Sequence, residues 1–403
     1  MTKRSEDALF SAWVVVLAGV VSALQVGKLP PALTALQADL GLTLVQSGFL
    51  LSMVQLAGML TAVVVGLLAD RLGLKRAMVS GLVLLAAASA LGSLASSAAV
   101  LLILRAIEGM GFLWVTLPAP ALIRRLVPVG RLAGMIGVWG TYMPLGTALA
   151  LLGGPFVIPI GGWPLWWNLF ALLSLAMAIW LYRAVPADPP SLPQVRGSLV
   201  SSLAATLSAP GPWLVALMFC VYSAQWLAVV GFLPSIYAGA GLTGATLGVL
   251  TALAAGANVL GNVASGRLLQ AGHQPHRLLW VGFGGMAVGS SLAFMAATEA
   301  LPVLRYGATL LFFSVGGLVP GTLFALAVRL APGERQVAGT VGWVLQWSAL
   351  GQFFGPPAMA WVAAQAGGWQ QTPLVTGSCC ALGAALAWLT ARHIRRAAKT
   401  ASA

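Results

Sequence analysis

The sequence predicts an all-α membrane protein of twelve spanning helices arranged as two pseudo-symmetric six-helix bundles, and three observations carry that expectation. Apolar residues fill 59% of the 403 positions and charged residues only 7%, whereas a soluble domain carries roughly a quarter charged residues. Such a chain cannot wet its outer surface, so that surface must face lipid. The apolar residues also fall into runs long enough to cross a bilayer, and the basic residues gather in alternate connections between those runs. Glycine (48) and proline (23) are abundant. Membrane helices tolerate both, because neighbouring helices satisfy the freed backbone groups and small residues permit close approach.

A span needs roughly 20 apolar residues to cross about 30 Å of hydrocarbon. That ruler places spans at 10–35, 45–69, 77–95, 99–123, 132–157, 164–184, 212–237, 245–268, 278–297, 302–328, 338–364 and 373–391. The runs are too long for barrel strands and lack their alternation. The start, Met1 to Asp7 followed by a long apolar run, lacks a small-residue cleavage site and reads as an uncleaved first span.

Orientation follows from lysine and arginine. With the N-terminus inside, 18 of the 21 basic residues fall in inner loops or at inner helix ends, from Lys3 and Arg4 to Arg396 and Lys399. The outer loops near Asp39, Ser96, Ile160, Ala240, Glu299 and Gly368 hold none, and the three exceptions, Lys28, Arg105 and Arg305, lie within spans. Both termini are therefore expected in the cytoplasm and the chain in the inner (plasma) membrane. The polar stretch 185–211 reads as a cytoplasmic linker between bundles at 1–184 and 212–403.

The two halves echo each other. Val26-Gly27-Lys28-Leu29-Pro30 matches Val230-Gly231-Phe232-Leu233-Pro234, and Leu104-Arg105 matches Leu304-Arg305. Ala133-Gly134, Gly137 and Leu145-Gly146 match Ala338-Gly339, Gly342 and Leu350-Gly351. Duplicated bundles are a recurring plan of membrane transporters.

Several classes fall away. The net charge of +13 is dispersed in short clusters with no nucleic-acid motif, so no nucleic acid is expected as partner. Cys220, Cys379 and Cys380 lie in apolar segments and form no external disulfide framework. His273, His276 and His393 fall at the cytoplasmic edge without metal-ligand partners, no phosphate-binding glycine loop with its lysine is present, and no cofactor is expected. The chain is not expected to be an enzyme.

The loop after span 2 reads Gly66-Leu-Leu-Ala-Asp70-Arg71-Leu-Gly73-Leu-Lys75-Arg76. It resembles the signature loop between helices 2 and 3 of the major facilitator superfamily. The resemblance implies that Asp70, Arg71, Gly73 and Arg76, with Arg124 or Arg125 at the end of span 4, form a gate. In it the acid caps the N-terminus of span 11 near Gly339, where a helix favours negative charge. The counterpart Ser265-Gly266-Arg267 lacks the acid, so the latch is one-sided. A plain basic inner loop is the alternative.

Span 4 opens Leu104-Arg105-Ala-Ile-Glu108-Gly109, similar to the family's arginine–glycine pattern there. Arg105 and Glu108 are three apart and share a helix face. Burying either alone costs about 2.5–3.5 kcal/mol, so the two are expected to pair. Glu108 lies roughly 13 Å below the outer end of the span. It reads as a proton-coupling site tuned by Arg105, or else as half of a static ion pair. Lys28 either meets an anionic substrate group in the cavity or snorkels to the outer surface. Its context, with Phe232-Leu233-Pro234, resembles the cyanate- and nitroimidazole-transporter branch of the family.

Gln55, Trp114, Tyr142, Gln225, Trp226, Asn258, Tyr306, Trp343 and Gln346 are polar or amphipathic residues inside spans. Each faces a neighbouring helix or a substrate cavity, because an unpartnered buried amide is costly. Trp163, Trp166, Trp167 and Trp369 lie near helix ends and read as interfacial anchors. The resemblance implies a monomeric secondary active transporter for a small anionic or polar organic solute, working by alternating access and coupled to protons. Export of drugs or hydrophobic metabolites by proton antiport is the alternative, weakened by the broken glycine–proline antiport pattern of span 5.

Overall fold

The computed structural model describes residues 3–188, 204–333 and 336–402; the side chains of 3–7, 63, 64, 66–71, 129, 133, 338 and 397–402 lie outside that description. Every regular element among the described residues is helical. The first span comprises Lys3–Gly27 and Leu29–Leu40, the second Leu44–Ser52 and Leu56–Leu72, the third Leu74–Gly92, and the fourth Ala98–Thr116 with Ala119–Leu126. Val129–Trp139 leads into Tyr142–Ala184, which holds the rest of span 5 and all of span 6. The helical backbone breaks between them at Gly161 and Gly162. Spans 7, 8 and 9 are Pro210–Gly239, Gly244–Gln270 and Pro275–Phe294. Span 10 comprises Pro302–Gly316 and Leu318–Arg329, and spans 11 and 12 are Val337–Ala366 and Thr372–Ser402.

Ten of the described helical stretches are long and apolar enough to cross a membrane, and the longest of these, Gly130–Ala184, contains the Gly161 break. Val337–Ala366 is not among the ten. It has 30 residues, ample length to cross at 1.5 Å per residue, but Gln346, Gln352, Pro356 and Pro357 dilute its apolar character. Several helices outrun their expected limits: span 1 starts at Lys3 and runs to Leu40, and span 12 continues to Ser402. The hydrophobic ruler measures only the hydrocarbon layer, whereas helical hydrogen bonding continues into the polar interface.

Local chemistry sets several boundaries. Thr43 and Gln46 form a reciprocal capping box that opens span 2. Ser97 accepts from the Val100 N–H to open span 4. In span 1, Pro30 and Pro31 lack N–H groups, so the carbonyls four residues earlier lose their helical donors and the helix is interrupted at Lys28.

The chain packs as two compact units, Met1–Leu192 with Val230–Gly256, and Pro193–Val229 with Ala257–Ala403. Inside the first, a methyl group added at Gly146 would meet the Val20 carbonyl at 2.7 Å, so span 5 rides directly on span 1. Inside the second, the repeat partner Gly351 lies against the Cys220 backbone, so span 11 rides on span 7 in the same way. The matched Leu-Gly pairs of the two halves therefore do the same packing job. The expected linker, 185–211, falls largely outside the described residues.

Candidate functional site

Lys28, expected at a task apart from the Arg105–Glu108 pair, joins that pair in the core of the first unit. Lys28, Arg105 and Glu108 are each 0% exposed. The Lys28 ammonium donates to Glu108 Oε1 at 2.6 Å, and Arg105 Nη1 donates to Glu108 Oε2 at 2.5 Å. The carboxylate is thus shared between two cations, one oxygen each. Arg105 and Glu108 face each other because they are three residues apart on span 4, as expected. Lys28 reaches them from span 1, with its side chain fully buried. The snorkelling geometry considered for it is absent: Nζ is directed into the bundle.

A polar cage completes the site. Lys28 Nζ also donates to Gln25 Oε1 and Ser89 Oγ, both at 2.7 Å, and sits 4.6 Å from the Trp167 ring centroid. Gln25 Nε2 donates to the Phe170 carbonyl and to Ser174 Oγ, fixing its amide so that Oε1 faces Lys28. Ser89 Oγ donates onward to the Trp167 carbonyl at 2.9 Å. Arg105 donates from Nη1 to the Gln25 carbonyl and from Nε to the Leu50 carbonyl. Its Nη2 is buried without a hydrogen-bond partner. Trp166 Nε1 donates to the Lys28 carbonyl at 2.9 Å.

Gln25, Ser89, Ser174 and Trp167 were missed by sequence reasoning. Gln25 precedes Lys28 by three residues and so shares its helix face, a signal that was legible. Trp163, Trp166 and Trp167 were expected at the interface, and the structure corrects this: they are 5%, 2% and 0% exposed. With Phe170 they recur at helical spacing and form the inward stripe of span 6. Trp163 Nε1 donates to Asp39 Oδ2 at 2.8 Å.

The remaining candidates divide between the units. Gln55 is buried in the first unit, and Trp114 packs on the Ala57, Ala62, Val65 and Leu113 cluster. Tyr142 stacks on Trp139 with ring centroids 4.5 Å apart. In the second unit, Asn258 donates to Tyr222 Oη and the Phe313 carbonyl, and Gln225 accepts from the Cys380 thiol. Trp226 is buried with its Nε1 unpaired. Trp343 joins Trp213 and Trp347 in an edge-to-face cluster with centroids 4.9 to 5.9 Å apart. Tyr306 and Gln346 are half-buried on spans 10 and 11.

At the other end of the first unit, Gly73 adopts φ +96°, a left-handed conformation that favours glycine, and opens span 3. The Lys75 and Arg76 N–H groups donate to the Asp188 carboxylate at 3.1 Å, and Arg125 Nη1 donates to it at 2.9 Å. Asp188 therefore caps span 3 and ties it to the end of span 4. Burial alone would raise its carboxyl, but the bonds from Lys75, Arg125 and Arg76 outweigh burial and hold it below the usual carboxylate range. Arg124 and the Arg76 side chain are exposed. The side chains of Asp70 and Arg71 lie outside those described, so the acid that the structure places on Arg125 is Asp188, which motif reasoning missed because it lies 63 residues further on.

Comparison with known proteins agrees with this architecture. The chain is 31% identical over 181 residues to the niacin transporter NiaP of Acinetobacter baylyi, covering 45% of this chain and 40% of that protein. It therefore spans less than half the length of that relative. It is 26% identical over 306 residues to a putative niacin/nicotinamide transporter of Bacillus subtilis, covering 74% and 75%. Its fold superimposes on a bacterial homologue of the human lysosomal transporter Spinster with a TM-score of 0.79 at 16% identity, over 97% of this chain and 98% of that one. A D-xylose–proton symporter gives 0.75 at 16% identity, over 94% and 97%. The Major Facilitator Superfamily profile matches residues 15–346. With all-helical spans, a duplicated glycine packing scheme and this match across most of its length, the chain is a multi-pass membrane protein that belongs to the Major Facilitator Superfamily.

Proposed function

We propose that this chain is a proton-coupled secondary active transporter for a small organic monoanion, working by alternating access of its bundles, 1–184 and 212–403. It acts as a monomer in the inner membrane with both termini in the cytoplasm. The observation that carries the reading is the charge count of the buried site: two cations, one carboxylate and an unpartnered arginine nitrogen. A buried excess of positive charge is costly and favours an arriving anion. Glu108, gripped by Lys28 and Arg105, holds the coupling site together. One relative is named for niacin, a pyridine carboxylate, and another for niacin or its neutral amide; the carboxylate is the form that suits this site. The tryptophan cluster of the second unit suits a flat or hydrophobic solute and keeps drug or metabolite export as the second reading.

The test is transport by purified protein in liposomes. Radiolabelled nicotinate, benzoate and pyruvate are compared with the neutral solutes nicotinamide and xylose under an imposed pH gradient. Gradient-driven movement of a monocarboxylate is expected. Movement of neutral solutes alone, or indifference to the gradient, would overturn the proposal.

A further inference from the structure

Hydrogen-atom accounting around Lys28 identifies its protonation state. Nζ has three oxygen neighbours within 2.7 Å: Gln25 Oε1, Ser89 Oγ and Glu108 Oε1. Each can only accept. Glu108 is a carboxylate already taking a bond from Arg105, the Gln25 amide spends its N–H groups on Phe170 and Ser174, and the Ser89 hydroxyl hydrogen points at the Trp167 carbonyl. Three acceptors require three donors, so Lys28 stands here as the full ammonium. The site then carries one net positive charge.

Only one group in the site can shed that charge. A guanidinium does not give up its proton at physiological pH, and Glu108 has one oxygen on each cation. The other groups facing Lys28 are uncharged: Gln25 from span 1, Ser89 from span 3, and Trp167 from span 6. From span 2, the Leu50 carbonyl accepts from Arg105. Arg105 Nη2 meanwhile is a buried, charged donor with no acceptor.

We propose that the coupling proton rides on the Lys28 amine, and that the solute carboxylate docks on Arg105 Nη2, one proton for each monoanion. This rests on the proton-coupled reading above. With the anion bound and Lys28 protonated, the site is neutral. With the anion gone, Lys28 Nζ releases H⁺ to water and keeps the electron pair, which again leaves the site neutral. The Ser89 hydroxyl then turns to donate to the amine lone pair and lets go of the Trp167 carbonyl, so the proton is felt in span 6. Because binding linkage is reciprocal, anion binding promotes protonation and lower pH tightens anion binding by the same factor.

The experiment uses purified full-length protein in weakly buffered detergent with a pH-indicator dye, and nicotinate, benzoate and pyruvate as probes. Wild type is expected to take up as much as one proton per anion bound, with affinity weakening up to tenfold per pH unit above the Lys28 transition. Lys28→Arg keeps the charge but cannot release it. It is expected to show no proton uptake, pH-independent affinity and no gradient-driven accumulation. Infrared difference spectra of wild type across the same pH range are expected to show no carboxylic-acid C=O band. A band that disappears in Glu108→Gln, or proton uptake by Lys28→Arg, would overturn the Lys28 assignment while leaving coupled transport standing. Wild type that binds a monoanion without any proton uptake would sink both.

Discussion

Replacing Glu108 by glutamine removes the only negative charge in the site and leaves Lys28 and Arg105, both fully buried, without a counter-ion. Stranding a buried charge costs about 3–5 kcal/mol. The penalty has a ceiling, because Lys28 can escape by losing its proton. Taking a proton off an ordinary lysine at pH 7 costs about 4–5 kcal/mol. Lys28→Met is a different perturbation: Arg105 and Glu108 still neutralise one another, so no net charge is stranded, and the loss is that of a donor to Gln25 Oε1, Ser89 Oγ and Glu108 Oε1, about 1–3 kcal/mol for each acceptor left unpaired. Glu108→Gln should therefore melt well below Lys28→Met at pH 7. While the wild-type Lys28 keeps its proton, the Glu108→Gln deficit should shrink as pH rises, by about 1.4 kcal/mol per unit, because neutralising the lysine becomes cheaper; above the pH at which the empty wild-type site releases that proton, the deficit levels off. Thermal melting in detergent, followed by tryptophan fluorescence between pH 6 and 9, reads both effects. Equal destabilisation by the two variants, or a Glu108→Gln deficit independent of pH, would refute the charge accounting on which the site rests.

Two further outcomes are expected. Asp188 has a carboxyl held below its unfolded value, so its stabilisation is present above the ordinary aspartate range near pH 3.9 and is lost as pH falls through the lower folded value. Asp188→Asn should cost about 1 kcal/mol at neutral pH, as loss of a helix cap does, and chiefly loosen the start of span 3 and the end of span 4. Hydrogen exchange at Lys75 and Arg76 checks it, and unchanged protection would count against the cap. Gly109 in span 4 lies against the Val54 backbone of span 2. Gly109→Ala should destabilise by about 1–3 kcal/mol through overpacking, measured by the same melting assay; a neutral result would mean that the spans separate freely there.

Much of the molecule was legible before any coordinates. Spans 1 to 12 follow from hydrocarbon thickness, a one-dimensional constraint that a chain must meet residue by residue. The echo of Leu145-Gly146 in Leu350-Gly351 already marked two equivalent close contacts, because only glycine lets helices approach so far. The Arg105–Glu108 pair was equally readable, since helical spacing of three puts both on one face. Trp166 and Trp167 misled, because proximity to a helix end does not say which side of the helix faces lipid.

What the sequence determined by itself was therefore the local and the periodic: an all-helical membrane chain, its doubled halves, its family and one intramembrane ion pair. What only the tertiary structure decided was which distant residues complete the site. Lys28 lies 80 residues from Glu108, and Asp188 lies 63 from Arg125. No periodicity spans such separations; packing of spans 1, 3, 4 and 6 brings Lys28, Ser89, Glu108 and Trp167 together. The physical reason is the low dielectric of the bundle core, where each buried charge must find a partner from whatever helix lies beside it.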